Sequence, residues 1–210
     1  MIADVAVLLF GEHSVPGPLR GLPVADGSDV DGAAAEHSRL IVVGSDADLA
    51  TVLTALLRSE KLDVEIGFAT PRRSAATRAY GLSAGRRGAR RARSGSAARV
   101  PLIRDDTGHA IVGTAMWRAA DGPLHGEAVV DDNTLFFGDV GWVRIEPLPV
   151  MPGLRATVVT GEGGRRPWVT GRAAQLGTTG ALVSRDGVRS DRLVKRSTFY
   201  RHVTGWLLVR

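Results

Sequence analysis

Residues 40–57 read LIVVGSDADLATVLTALL: four apolar residues, a small-residue turn at Gly44 and Ser45, then apolar side chains at helical spacing. Residues 39–44 (RLIVVG) carry an unbroken apolar run at 40–43 without alternation, the pattern of a strand covered on both faces. Leu49, Val52, Leu53, Leu56 and Leu57 fall on one face of a helix over residues 45–58. Ser45 is placed to cap that helix, and Asp46 and Asp48 lie in its first turn, where the helix dipole favours carboxylates. LDVEIGF (62–68) then puts Leu62, Val64, Ile66 and Phe68 in alternation, so strand, helix and strand predict a βαβ crossover and a parallel pair. Upstream, residues 6–10 are apolar and bounded by Gly11, which predicts a central strand. Residues 11–38 hold three prolines and five glycines and predict mostly loop, with a short helix near 33–37.

Pro71 opens a second helix through Ala75, Ala76 and Tyr80, closed by Gly81. The following SAGRRGARRARSGSAAR (83–99) has the composition of an exposed connection. From Val100 onward, short alternating runs are separated by turn residues, as in LIRDDTGHAIVG (102–113), AVVDDNTLFFGDVGWVRIE (128–146) and ALVSRDGV (181–188). These are hairpin signals, and roughly eight or more strands are expected. The predicted fold class is an α/β N-terminal unit, a short parallel sheet with few helices, followed by an antiparallel β-rich domain. The predicted division is an α/β unit over 1–82, an Arg-rich linker over 83–99 and a β-rich, sandwich-like domain over 100–210.

A chain of 210 residues with 44% hydrophobic residues can bury a sizeable core. No window approaches roughly 18 consecutive apolar residues, so no membrane-spanning helix is expected. Met1 is followed by Ile2, Ala3 and Asp4 rather than by a basic stretch and a long apolar region, which makes the cytoplasm the default location. The absence of cysteine excludes disulfides, thiolate catalysis and cysteine-ligated zinc. Of the 27 basic residues 25 are arginine, a bias that fits G+C-rich codons. Residues 72–99 hold nine arginines and no acid, so the rest of the chain carries −4 against an overall +5. His13, His37, His109, His125 and His202 show no metal-ligand spacing, and no metal site is expected from them. Ser14, Ser45, Ser74 and Ser197 lack the GxSxG context of a hydrolase nucleophile. Trp142 and Trp206 sit in apolar runs and read as core, whereas Trp117 and Trp168 are flanked by arginine and could line a groove.

A strand that stops at a small-residue turn and feeds a helix N-terminus can cradle phosphate, because free backbone N–H groups and the dipole point at the anion. Gly44 and Ser45 have that position, but Asp46 and Asp48 follow. A carboxylate about 4 Å from a phosphate oxygen opposes binding by about 4 kcal/mol at an effective dielectric of ~20, unless Mg²⁺ lies between them. The same residues also read as an ordinary N-cap with an acidic first turn.

Residues 40–57 resemble the strand, Gly-Gly-Asp-Gly-Thr turn and helix of the diacylglycerol kinase catalytic family, which is related to the NAD kinase-like superfamily. Gly44 stands at the first Gly, Ser45 at the second, Asp46 at the Asp, Ala47 at the third Gly and Asp48 at the Thr. IGFATPRRSAATRAYGL (66–82) is similar to the family's next strand and its Pro-x-Gly-Thr-x-Asn-Asp helix. Pro71 and Gly81-Leu82 are kept, Ser74 stands for the Thr, and small residues replace the Asn and Asp. In the β-rich half, residues 126–147 and 181–209 are similar to the family's second-domain strands and its closing stretch. The resemblance implies ATP phosphates on the turn, Mg²⁺ assisting, and a carboxylate of the β domain as base for a lipid hydroxyl. The Asp-Gly-x-Leu-Asp segment that bears this base is not evident; GEGGRRPWVTG (161–171) occupies its region, and no catalytic residue is named.

Residues 11–38 stand where the family has further helix and strand. Phosphoryl transfer depends on positioning and charge neutralisation, so loss of the turn glycines and the Asn-Asp pair removes much of the machinery. The expected protein is a shortened, actinobacterial-type relative without catalytic activity, in which Gly44, Ser45, Asp46, Asp48 and Ser74 are remnants of a nucleotide turn and an interdomain cleft holds a ligand or a protein or lipid partner. One alternative is an active ATP-dependent lipid or small-molecule kinase in which Asp46 and Asp48 recruit Mg²⁺. Another is an adaptor in which Arg72, Arg73, Arg86, Arg87, Arg90 and Arg91 bind anionic surfaces or nucleic acid without base specificity. Exposed strand edges leave pairing into a homodimer open.

Overall fold

The computed structural model describes residues 4–160 and 163–210; Met1, Ile2 and Ala3, and Gly161 and Glu162 of the 161–171 segment, lie outside the described residues. The chain divides into two compact units: Met1–Val100 with Thr204–Arg210, and Pro101–Val203.

In the first unit, β1 (Val5–Leu9), β3 (Arg39–Val43) and β4 (Glu65–Ala69) run parallel. β2 (Val24–Asp26) extends the sheet beside β1, and β16 (Trp206–Val209) and β5 (Ala97–Val100) complete the order β2-β1-β3-β4-β16-β5. β16 is parallel to β4, and β5 is antiparallel to β16. The unalternating RLIVV run is buried at every position, as a doubly covered strand requires. The 11–38 segment has more structure than its glycines and prolines predict: a 3₁₀ turn at Gly17–Leu19, β2, and α1 (Val30–Glu36) capped by Asp29. The short helix predicted near 33–37 is present as α1, which begins three residues earlier, and β2 is a strand that the pattern does not predict.

α2 (Asp46–Arg58) follows β3, and Leu49, Val52, Leu53 and Leu56 are buried on its inner face. Its fifth predicted core position, Leu57, is only partly buried, while Thr54 is buried and donates its hydroxyl to Ala50 O at 2.7 Å. Residues 62–64 form a turn rather than strand, and β4, which begins at Glu65, is buried without alternation from Ile66 to Ala69.

The predicted linker is the main correction. Residues 83–99 contain α4 (Gly85–Ser94) and most of β5, both inside the first unit. α4 buries Gly88, Ala89 and Ala92 and turns its arginines to solvent. It lies so close to β4 that a Cβ on Gly67 would fall 2.8 Å from Ala92 Cβ and 2.9 Å from Ala92 O, so only glycine fits there. Arg39, 8% exposed, donates to Arg93 O at 2.8 Å and pairs with Glu65, and Arg93 donates to Pro18 O at 2.7 Å. The boundary therefore falls after Val100, and the last residues return to the first sheet instead of closing the β domain.

Among the described residues the second unit has ten strands in one hydrogen-bonded network: β6 (Ile103–Asp105), β7 (Ala110–Ile111), β8 (Ala115–Arg118), β9 (Leu124–Val130), β10 (Asn133–Val140), β11 (Trp142–Pro147), β12 (Leu154–Val159), β13 (Val169–Gly171), β14 (Ala173–Arg185) and β15 (Val188–Arg201). β14 is the branch point: residues 174–178 pair with β9 and 182–185 pair with β8. The predicted corners form hairpins, with Asp131 (φ 50°) between β9 and β10 and Asp186 (φ 49°) between β14 and β15. Trp117, Phe199, Val143 and Ile145 are fully buried in this unit's core. Among the described residues no helix is long and apolar enough to cross a membrane.

If α4 is packed rather than pendant, Ala92→Leu forces a larger side chain against Gly67 and is expected to cost about 1–3 kcal/mol. Arg90→Ser, at an exposed position on the same helix, is expected to stay within about 0.5 kcal/mol of wild type. Chemical denaturation of both variants measures the contrast.

Candidate functional site

The turn between β3 and α2 is built around two carboxylates. Asp48 folds back so that its Oδ2 accepts from Ser45 N and Ser45 Oγ, each at 2.7 Å, while Asp48 N donates to Ser45 Oγ at 3.3 Å, a reciprocal capping box. The fold-back leaves no room beside Gly44, where a Cβ would lie 2.6 Å from Asp48 Oδ2.

Asp46 reaches out of its own helix. Its Oδ2 accepts from Ala76 N at 3.0 Å, an amide in the first turn of α3 (Ala75–Ala79), and its Oδ1 is buried with no hydrogen-bond partner among the described residues. Ser74 caps α3 and Thr77 answers it: Thr77 N donates to Ser74 Oγ at 3.2 Å, and Ser74 N donates to Thr77 Oγ1 at 2.7 Å. Gly44, Ser45, Asp46, Asp48 and Ser74 are thus brought into one cluster, joined by the bond from Ala76 to Asp46. In it the amides of Ser45, Asp48, Ser74, Ala76 and Thr77 are all taken by the chain's own side chains. Thr77 and the Ala76 amide were not picked out from the sequence; the Ser-x-x-Thr spacing of 74–77 is the signal that points to them.

Arg72 and Arg73 lie in the bend just before Ser74, and Gly85 N, at the start of α4, donates to Thr70 O at 2.8 Å. This bond sets Arg72 and Arg73 at the N-terminal end of the helix that carries Arg86, Arg87, Arg90 and Arg91. All six are exposed.

The second unit holds features that the sequence did not reveal. A cleft of about 680 Å³ is lined by Arg118, Asp121, Asp139, Trp142 and Arg166 among others, with the Arg118 guanidinium 5.0 Å from the centre of the Trp142 ring. Trp117, which flanking Arg118 marked as a groove residue, is instead wholly buried and donates Nε1–H to Ser197 Oγ at 2.9 Å. Trp168 is partly buried under Arg155, 4.3 Å away. His125 is paired with Asp139 at 2.7 Å on the surface. Among the described residues no group of three or more histidines and carboxylates could hold a metal ion.

No protein-family profile matches the sequence, and none of the curated proteins does. Solved structures do match the fold. A diacylglycerol kinase from Bacillus anthracis str. Sterne superposes with a TM-score of 0.74 at 10% identity, over 100% of this chain and 97% of that one. An NAD kinase from Archaeoglobus fulgidus in complex with ATP superposes with a TM-score of 0.64 at 12% identity, over 98% of this chain and 93% of that one. The chain has the diacylglycerol kinase/NAD kinase-like fold, in which a mixed, mainly parallel sheet is joined to a large antiparallel one.

Because Ser45 is both cap and partner of Asp48, Ser45→Ala is expected to destabilise by about 1 kcal/mol. Asp46→Asn retains an oxygen that accepts from Ala76 N and should cost less than Asp46→Ala, an ordering that denaturant midpoints establish.

Proposed function

We propose that this chain is a noncatalytic protein on the diacylglycerol kinase/NAD kinase-like fold, a binding scaffold whose phosphate turn is closed by its own carboxylates. The observation that carries the reading is the pair of contacts made by Asp48 to Ser45 and by Asp46 to Ala76, which put negative charge at the helix N-termini where a phosphate would need to sit. A phosphate arriving there meets repulsion of about 4 kcal/mol at 4 Å and an effective dielectric of ~20. It also finds five amides already engaged.

Mg²⁺ fits the turn no better. Asp46 offers one oxygen bound to an amide and one buried, and Asp48 Oδ2 holds two donors of Ser45. The residues that resemble a nucleotide site therefore work as a structural joint between β3, α2 and α3.

Thermal unfolding in millimolar ATP, with and without Mg²⁺, tests this. A ligand at about 100 times its dissociation constant stabilises by roughly 2.7 kcal/mol, and the midpoint is expected not to move. A Mg²⁺-dependent rise that disappears in Asp46→Ala, with phosphorylation of a lipid or small-molecule hydroxyl by the same preparation, would replace this reading with that of an ATP-dependent kinase.

A further inference from the structure

α4 combines two properties. Its inner face is made only of Gly88, Ala89 and Ala92, packed on β4, and its five arginines are exposed. The outer face is also uncompensated. Among the described residues only Arg39, Arg99, Arg144, Arg155 and Arg185 pair with a carboxylate, so Arg72, Arg73, Arg86, Arg87, Arg90 and Arg91 share the lack of an ion pair with most arginines of the chain and differ from them in their crowding. Codon bias explains why the residues are arginine. It does not explain why six exposed arginines crowd into residues 72–91, with no acid anywhere in residues 72–99.

The arrangement on the helix selects a shape of ligand. At about 100° per residue Arg86, Arg87, Arg90 and Arg91 fan over roughly 140°, on the side opposite the buried stripe, while Arg93 at the edge of the fan donates to Pro18 O. A flat anionic surface reaches only the middle of such a fan. A groove between two rows of phosphates reaches its flanks as well, and a DNA major groove about 12 Å wide admits a helix. No exposed large apolar residue lies on α4 or in the 70–74 bend to enter a bilayer, and no exposed aromatic is there to stack on a base.

We propose that α4 and the adjoining Arg72-Arg73 bend form a docking ridge for the sugar-phosphate backbone of duplex DNA, read without base selectivity. Guanidinium groups match phosphate oxygens through paired N–H donors, and each phosphate neutralised releases counterions. The ridge lies wholly within the first unit and is independent of what the Asp46 turn binds.

Fluorescence anisotropy of the full chain with a labelled 20-base-pair duplex of arbitrary sequence, titrated from 50 to 200 mM salt, tests the assignment. With four to six phosphates contacted, the slope of log K on log salt is expected to be roughly −4 to −5. The fourfold variant Arg86→Ser, Arg87→Ser, Arg90→Ser, Arg91→Ser should bind at least about tenfold more weakly at 50 mM, with a slope near about −1. Its circular dichroism and melting should be unchanged, since all four positions are exposed. The charge-matched variant Arg189→Ser, Arg192→Ser, Lys195→Ser, Arg196→Ser, at four exposed positions of β15, should stay within about twofold of wild type. Equal losses in the two variants would mean that net charge alone attracts DNA, and would overturn the proposal. So would single-stranded DNA binding as tightly as the duplex, or sedimentation with phosphatidylserine vesicles without duplex binding.

Discussion

A sheet whose strands are apolar on both sides has to be covered on both sides, and the first unit is organised by that requirement. Val7, Ile41, Val43 and Ala69 face Leu19 of the 3₁₀ turn and Ala89 and Ala92 of α4. The alternate residues, Ala6, Leu8, Leu40, Val42, Ile66 and Phe68, are equally buried and point the other way, to the layer of α1 and α2. The α4 layer is thin because its contact residues are alanine and glycine. Gly67 beneath it is the matching concession from the sheet. A helix that spends its few small residues on the sheet has only arginine left for water. The basic surface is therefore a consequence of how the core is covered as much as of charge itself.

The same economy shapes the turn after β3. A strand entering a helix leaves several backbone N–H groups without intrahelical partners, and they must be satisfied by solvent, ligand or side chain. Here side chains of the turn do most of it, and Asp46 also serves the next helix. Charge–dipole attraction that elsewhere favours a bound anion is spent inside the chain, where it joins three elements. The second unit uses carboxylates in the same way. Asp186 accepts from the amides of Val112, Gly113 and Thr114, and fully buried Asp105 accepts from Thr107 N and His109 N while pairing with Arg185.

How much of this was legible depended on how local the signal was. β3 and α2 declare themselves because five apolar residues at helical spacing follow an unbroken apolar run, and Ser45 with Asp48 has the spacing of a cap. α4 does not, because its buried stripe is three small residues among arginines and carries almost no hydrophobic signal. β2 and the start of α1 are hidden by the glycines and prolines around them. Trp117 was misplaced because neighbouring Arg118 suggested solvent, although alternation along β8 puts the two on opposite faces. The cluster of Gly44 to Asp48 with Ser74 was visible only through resemblance, since the bond from Ala76 to Asp46 spans 30 positions. The cleft beside Trp142 draws on three separate corners, and no window of sequence contains them all.

The place of β16 has a consequence for biosynthesis. β4 and β5 are neighbours in chain order, yet they meet only through β16, at Trp206–Val209. On the ribosome, at roughly 5–20 residues per second, β4 waits about 7–27 s for its partner while the whole antiparallel unit is made. During that interval an apolar strand edge stands open in the nascent chain, the kind of edge on which wrong pairings begin. Pro101–Val203, by contrast, is continuous and can complete its own pairings before the first sheet closes. The order of synthesis thus favours folding from the middle of the chain outward, with the N-terminal half finished last.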